Sequence, residues 1–152
     1  MPASTGEWTV FHPKPGTKKN PKLRWSLPDR AFFGYGACHI LAGTYLLDPP
    51  RRGFCAERIV PNGPYPGNHI YLTDGAIAFD YRGYVARDRL LDWFRKAWNG
   101  HTPGWSGTIE AVRFDLLDTA ALNARKMLGP DQYFGDPVAR ARRFLAQKRH
   151  SG

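Results

Sequence analysis

Residues 69–81, HIYLTDGAIAFDY, constrain the fold more than any other stretch of this sequence. Two β-prone runs flank Asp74-Gly75, and an Asp-Gly pair supplies the positive backbone angles of a tight hairpin turn. The expected strands are 69–72 and 76–81. A hairpin closed at Asp74-Gly75 sets His69 opposite Asp80. Cross-strand neighbours on one face have Cβ atoms about 5 Å apart, close enough for an imidazole to hydrogen-bond a carboxylate. A plainer hairpin fits the same residues, with His69 exposed and Asp80 capping a turn with Arg82.

The segments around the hairpin are short and heavily punctuated, as 16 glycines and 13 prolines require. Glu7–Phe11 reads as a strand. Residues 12–24, HPKPGTKKNPKLR, read as an extended basic arm, because three prolines leave little room for helix. Gly34 and Gly36 permit a tight turn ahead of CHILAGTYLL, residues 38–47, a short buried helix ended by Asp48-Pro49-Pro50. Phe54–Val60 has strand character, and PNGPYPGN, residues 61–68, is a loop. Beyond the hairpin, Arg87–Trp98 places Leu90, Leu91, Phe94 and Trp98 on one helical stripe, closed by Gly100. Thr108–Phe114 predicts a strand. Asp118 caps a helix over 119–128, stopped by Gly129-Pro130. Asp136-Pro137 opens a last helix over 137–148, with Val138, Ala141 and Leu145 as its apolar stripe and its arginines facing out.

Hairpin connections dominate the middle of the chain, so the expected class is α+β with an antiparallel sheet. The expected organisation is a basic N-terminal arm over 1–30 and a single domain over 31–150. Its core spans 34–84 and a helical extension 86–148. A chain of 152 residues with 42% hydrophobic content can bury one core without disulfides. Two cysteines are too few for a disulfide framework, no charged-then-apolar leader opens the sequence, and no apolar stretch nears the roughly 20 residues of a membrane span. The expectation is a cytoplasmic protein with reduced thiols. A net charge of +9, with lysines and arginines grouped toward both ends, suits an acidic or polyanionic partner. No glycine-rich phosphate loop is present. Cys38, His39, Cys55 and His69 are of metal-ligating type but lack metal-site spacing, and adjacent Cys38 and His39 are expected to point to different sides of a helix. Neither metal nor organic cofactor is expected.

Cys38 is the residue whose placement decides the function class. A thiol at a helix N-terminus lies beside unpaired N–H groups and the positive end of the helix dipole, and both favour the nucleophilic thiolate. The alternative is a small core residue. Cys38, His69 and Asp80 together have the composition of a nucleophilic triad, in which a carboxylate orients an imidazole that takes the thiol proton. The other class is a non-catalytic basic module that binds nucleic acid or an acidic protein.

The segments GYGACHILAGTYLL, GFCAERIV and NHIYLTDGAIAFDY, about residues 34–81, resemble the core of the transglutaminase-like superfamily, part of the papain-like cysteine peptidase fold. The shared features are a cysteine at the start of a helix, a strand of the form Gly53-Phe54-Cys55-Ala56-Glu57-Arg58-Ile59-Val60, a histidine-led strand and an aspartate after an aromatic, Phe79-Asp80. The resemblance implies a Cys-bearing helix packed on an antiparallel sheet, with C-terminal helices added. It implies acyl transfer or hydrolysis on an amide or peptide bond, with Cys38 as nucleophile, His69 as base and Asp80 as orienting acid. An oxyanion donor is also needed. The backbone N–H of Cys38 is one candidate, and Trp25 and Tyr35 are the upstream side chains open to that role.

Overall fold

A computed structural model describes residues 15–151. The strand expected over residues 7–11 lies outside them. The hairpin forms, with β2 (His69–Thr73) and β3 (Ile77–Asp80) antiparallel. Leu72 stands opposite Phe79 and Thr73 opposite Ala78. The turn closes one residue later than expected. Gly75 carries a φ of 102° and Ala76 follows it, while the Asp74 N–H donates to the Ile77 carbonyl at 3.2 Å. Glycine at the first of two central positions is the type II′ choice. Local side chains fix it there: Thr73 Oγ1 accepts from the Gly75 N–H at 2.9 Å, and Asp74 Oδ1 from the N–H groups of Ala76 and Ile77 at 2.9 and 2.8 Å. The pairing therefore slips by two residues from the expected one. An even slip keeps every side chain on its own face, so His69 and Asp80 become diagonal neighbours and stay within reach.

A second tight turn at Tyr81-Arg82 adds β4 (Gly83–Ala86), with Asp80 opposite Gly83. On the other side of β2 lies β1 (Cys55–Pro61), which sets Ile59 opposite His69. β5 (Gly107–Ala111) pairs antiparallel with the outer edge of β1, and the sheet order is β4-β3-β2-β1-β5. The stretch expected as a helical extension thus also completes the sheet. Every residue of β2 is buried, because helices cover both its faces. Phe79, on the face of Leu72, packs against Tyr45 of α3 (Cys38–Leu47) with ring centroids 5.2 Å apart. His69, on the other face, stacks on Phe94 of α4 (Arg87–His101) at 5.8 Å.

Among the described residues there are six α-helices, and the sequence missed two of them. α1 (Pro21–Trp25) forms inside the expected extended arm. Pro21 occupies the first helical position, where a missing N–H costs nothing, and Asn20 Oδ1 accepts from the N–H groups of Lys22 and Leu23 at 3.1 Å. α2 (Asp29–Tyr35) takes the place of the turn expected at Gly34 and Gly36. Gly34 lies within that helix because the Tyr81 ring presses on it: an added Cβ would sit 3.2 Å from the ring. α4 continues through Gly100 to His101. α5 (Thr119–Asn123) has the expected Asp118 cap but stops early. Asn123 turns its amide to the Met127 carbonyl and the Gln132 side chain, at 2.8 and 2.7 Å, and Lys126 adopts a φ of 63°. α6 (Pro137–Ala146) begins as expected, with Asp136 Oδ1 accepting from Val138 and Ala139. No helix of the described residues is long and apolar enough to cross a membrane.

Not every α6 arginine faces out. Arg140 turns inward, donating to Asp29 at 2.8 Å and to the carbonyls of Trp25 and Leu27 at 2.7 and 2.6 Å, and its guanidinium lies 4.1 Å from the Phe32 ring centre. Residues 21–30 are thereby fastened to α6 rather than laid over the surface as a separate arm. Charge-assisted hydrogen bonds contribute about 1.5–3 kcal/mol each in mutational series. Arg140→Ala is therefore expected to lower unfolding stability by about 2–4 kcal/mol in urea titrations, whereas Arg142→Ala, at an exposed position, stays within about 0.5 kcal/mol.

Candidate active site

Cys38 is the first residue of α3 and is half-buried. The preceding Ala37 gives the helix no side-chain cap. The N–H groups of the first turn, Cys38's own included, have no intrahelical acceptors and face the thiol's end of the helix. Behind the sulfur, Phe33, Leu41, Ile70 and Phe79 close a seam that leaves no water-sized space.

His69 begins β2 and has no exposed surface. Its Nε2 lies 3.0 Å from Asp80 Oδ2. A carboxylate only accepts, so this bond assigns the proton to Nε2 and leaves Nδ1 as the basic nitrogen. Cys38 is near enough to this ring for each to act on the other's charge. Of the three side chains expected to meet, His69 and Asp80 are hydrogen-bonded, and Cys38 and Asp80 line one closed seam. Asp80, 3% exposed, is fixed from its other side by Arg82: Oδ1 accepts from the Arg82 backbone N–H at 2.9 Å and Oδ2 from its Nη2 at 3.0 Å. Half of the plainer hairpin reading is thus also present, since Asp80 caps the turn at Arg82. Its other half is not, since His69 is buried.

The electrostatics follow from these contacts. Burial alone would push the thiol up. Hydrogen bonds and charge from His39 and His69 outweigh it and bring Cys38 down from its ordinary 9.0 to about 6. For His69, burial disfavours the charged ring, but hydrogen bonds to Asp80 and Cys38 and the charges behind them raise it above its ordinary value. Burial likewise opposes the charge on Asp80, yet the His69 bond and the Arg82 charge hold its carboxyl well below the usual carboxylate range. The arrangement favours a thiolate beside an imidazolium, with the carboxylate steadying the ring.

His39, a residue the sequence offered only as a possible metal ligand, follows Cys38 on α3, is 3% exposed, and is among the groups that lower the thiol. Its Nε2 is 2.8 Å from the Leu128 carbonyl. Tyr133 Oη is 3.4 Å from the same nitrogen and donates to the Gly36 carbonyl at 3.3 Å. Little in the local sequence announces its placement, because the partners that hold the ring are about ninety residues away.

The remaining candidates have these surroundings. Trp25 packs edge-on to Phe32 at 5.4 Å, under the Arg140 guanidinium and against Gly135, as a post between α2 and α6. Tyr35 packs beside Tyr81, with ring centres 6.1 Å apart. Cys55 is exposed at the start of β1, opposite Thr73. Among the described residues no three His, Cys, Asp or Glu side chains are grouped to hold a metal ion. Compared with protein families, curated proteins and solved structures, the chain matches none.

A depressed carboxyl stabilises the folded state above the ordinary carboxylate range, and that stability is lost as pH falls through the folded value. Urea midpoints should therefore decline below about pH 4, where the unfolded chain takes up a proton that folded Asp80 still resists. Asp80→Asn should lose this part of the acid dependence. At neutral pH it should cost about 3–5 kcal/mol, because it strands the nearly buried Arg82 charge.

Proposed function

We propose that this protein carries out thiol-dependent acyl transfer or hydrolysis on an amide or peptide bond, with Cys38 as nucleophile, His69 as general base and Asp80 as the orienting acid. One observation carries the reading: a fully buried imidazole, held through Nε2 at 3.0 Å from a carboxylate, and a half-buried thiol at a helix N-terminus act on each other's charge. The order of a Cys-bearing helix, a His-led strand and an Asp-ending strand on an antiparallel sheet supports a transglutaminase-like, papain-like core as the architecture behind it.

In the proposed reaction the thiol proton passes to His69 Nδ1 and the sulfur attacks the carbonyl carbon. The oxyanion that forms takes the Cys38 N–H at the head of α3 as one donor. Collapse of the adduct breaks the carbon–nitrogen bond, and the leaving amine takes the proton from His69. The acyl group, now a thioester, is released to water or to an amine, whose proton returns through His69. A peptide or protein amide is the substrate class that suits this sequence of steps.

The test uses p-nitrophenyl acetate as an activated acyl donor and intact-mass spectrometry as the readout. The expected result is rapid acetylation confined to Cys38, absent in Cys38→Ser. His69→Gln should slow it by about 10²–10⁴-fold, the usual contribution of a positioned general base. Acetylation spread equally over Cys38 and Cys55, or insensitive to His69→Gln, would remove the proposal.

A further inference from the structure

We infer that the Tyr133 hydroxyl is a second oxyanion donor of this site, working with the backbone N–H of Cys38. The inference rests on the reading of Cys38 as a nucleophile that attacks a carbonyl, and it adds a catalytic residue to that reading. Donors that stabilise an oxyanion stand about 2.7–3.1 Å from its oxygen. The head of α3 supplies one of them. Tyr133 brings another from far along the chain. Its Oη donates to the Gly36 carbonyl at 3.3 Å and lies 3.4 Å from His39 Nε2. Gly36 and His39 bracket Cys38 in the sequence, and only Ala37 stands between the Gly36 carbonyl and the Cys38 N–H. The hydroxyl and the N–H therefore share the head of the helix.

The proton on that hydroxyl is loosely committed. A carbonyl oxygen only accepts, so the 2.8 Å contact with Leu128 assigns a proton to His39 Nε2, and this nitrogen cannot take the tyrosine's. The Gly36 carbonyl is then its only acceptor among the described residues. At 3.3 Å that bond is long beside the usual O–H···O spacing of about 2.7–2.8 Å. A bond to an ionised oxygen is roughly twice as strong as one between neutral groups, so a developing oxyanion outcompetes the carbonyl. Burial first, and then the charge of Cys38, push the phenol above its ordinary value against the opposing charge of Arg24. Tyr133 therefore stays an O–H donor at neutral pH.

The residue is also held in place on both sides. Its ring stands edge-on to Phe32, with centres 5.6 Å apart. Ahead of it, Gln132 Oε1 accepts from the Gly129 N–H and from Asn123 Nδ2, both at 2.7 Å. Behind it, Gly135 packs so closely on Trp25 that an added Cβ would run into the indole. A donor fixed by packing need not reorganise as the charge develops. When the sulfur attacks, the carbonyl π pair moves onto oxygen, which accepts from the Cys38 N–H and the Tyr133 O–H. When the adduct collapses, the pair returns to the carbonyl and the carbon–nitrogen bond breaks. Tyr133 keeps its proton throughout.

The experiment compares two reactions of Cys38 in the full chain, both followed by intact mass. Acetylation by p-nitrophenyl acetate passes through an oxyanion. Alkylation by iodoacetamide forms the sulfur–carbon bond as the carbon–iodine bond breaks, and no oxygen gains charge. Tyr133→Phe keeps the ring and removes the donor. Acetylation should fall by about 10²-fold in this variant, while alkylation stays within about two-fold of wild type. An equal loss of both reactions would mark the hydroxyl as structural and overturn the inference. No loss in either, or a selective loss in Tyr35→Phe in its place, overturns the inference and leaves the proposed reaction standing. Failure of Cys38 to acetylate in wild type overturns the reaction itself. Should Tyr133→Phe melt, trifluoroacetone decides, because its adduct with a thiol carries a readily ionised oxygen where the oxyanion would form. In carbon NMR of the wild-type chain the Tyr133 Cζ resonance should shift on formation of this adduct, and a resonance that does not move would refute the inference.

Discussion

The hydrogen bond between His69 and Asp80 is the contact on which the rest of the site depends. It is buried on both sides, so neither group has water as an alternative partner, and its geometry is held by the sheet rather than by a flexible loop. Two charges sealed in a low-dielectric interior are tolerated only when each lone pair and proton is answered. Arg82 answers the oxygens of Asp80, and the thiol of Cys38 faces the ring of His69. Without the carboxylate, burial would favour neutral imidazole and neutral thiol, and the sulfur would be an ordinary half-buried side chain.

The sheet and the helices supply this contact through different means. β2, central and covered on both faces, fixes His69 through its register with β1 and β3. Phe94 of α4 closes over the ring, and Arg82, in the turn after β3, is held 5.3 Å from the ring centre of Trp93 on the same helix. On the opposite face α3 delivers the sulfur, and α6 packs against α3 through a layer that includes Phe33 and Phe144, with rings 5.0 Å apart. Between α5 and α6, the segment carrying Leu128 and Tyr133 reaches back to α3 and holds the His39 ring.

Much of this was legible in the sequence where the signal is local. Asp118 and Asp136-Pro137 mark helix starts with side chains that reach only two or three residues along the chain, and both caps form. The hairpin and the Cys-bearing helix were legible for the same reason. The turn was misplaced by one residue because Asp-Gly and Gly-Ala both offer a positive φ at Gly75, and the choice between them is made by Thr73 and Asp74 side chains. α2 was unreadable because Gly34 looks like a helix breaker until the Tyr81 ring, far along the chain, is laid against it. β4 was too short to announce itself beside the helix that follows. His39 shows the limit most clearly: the groups that hold its ring, the Leu128 carbonyl and Tyr133, come from about ninety residues along the chain.

Arg140 carries a mechanical consequence. By gripping the carbonyls of Trp25 and Leu27 and the carboxylate of Asp29, it makes the earliest and latest helices of the described chain a single cooperative unit. α2 runs through Gly36 and Ala37 directly into Cys38. Fraying of α6 would therefore not remain a local event at the carboxyl side: it would slacken the lead-in to the sulfur, and the thiol's reactivity would report the integrity of a helix that begins a hundred residues downstream.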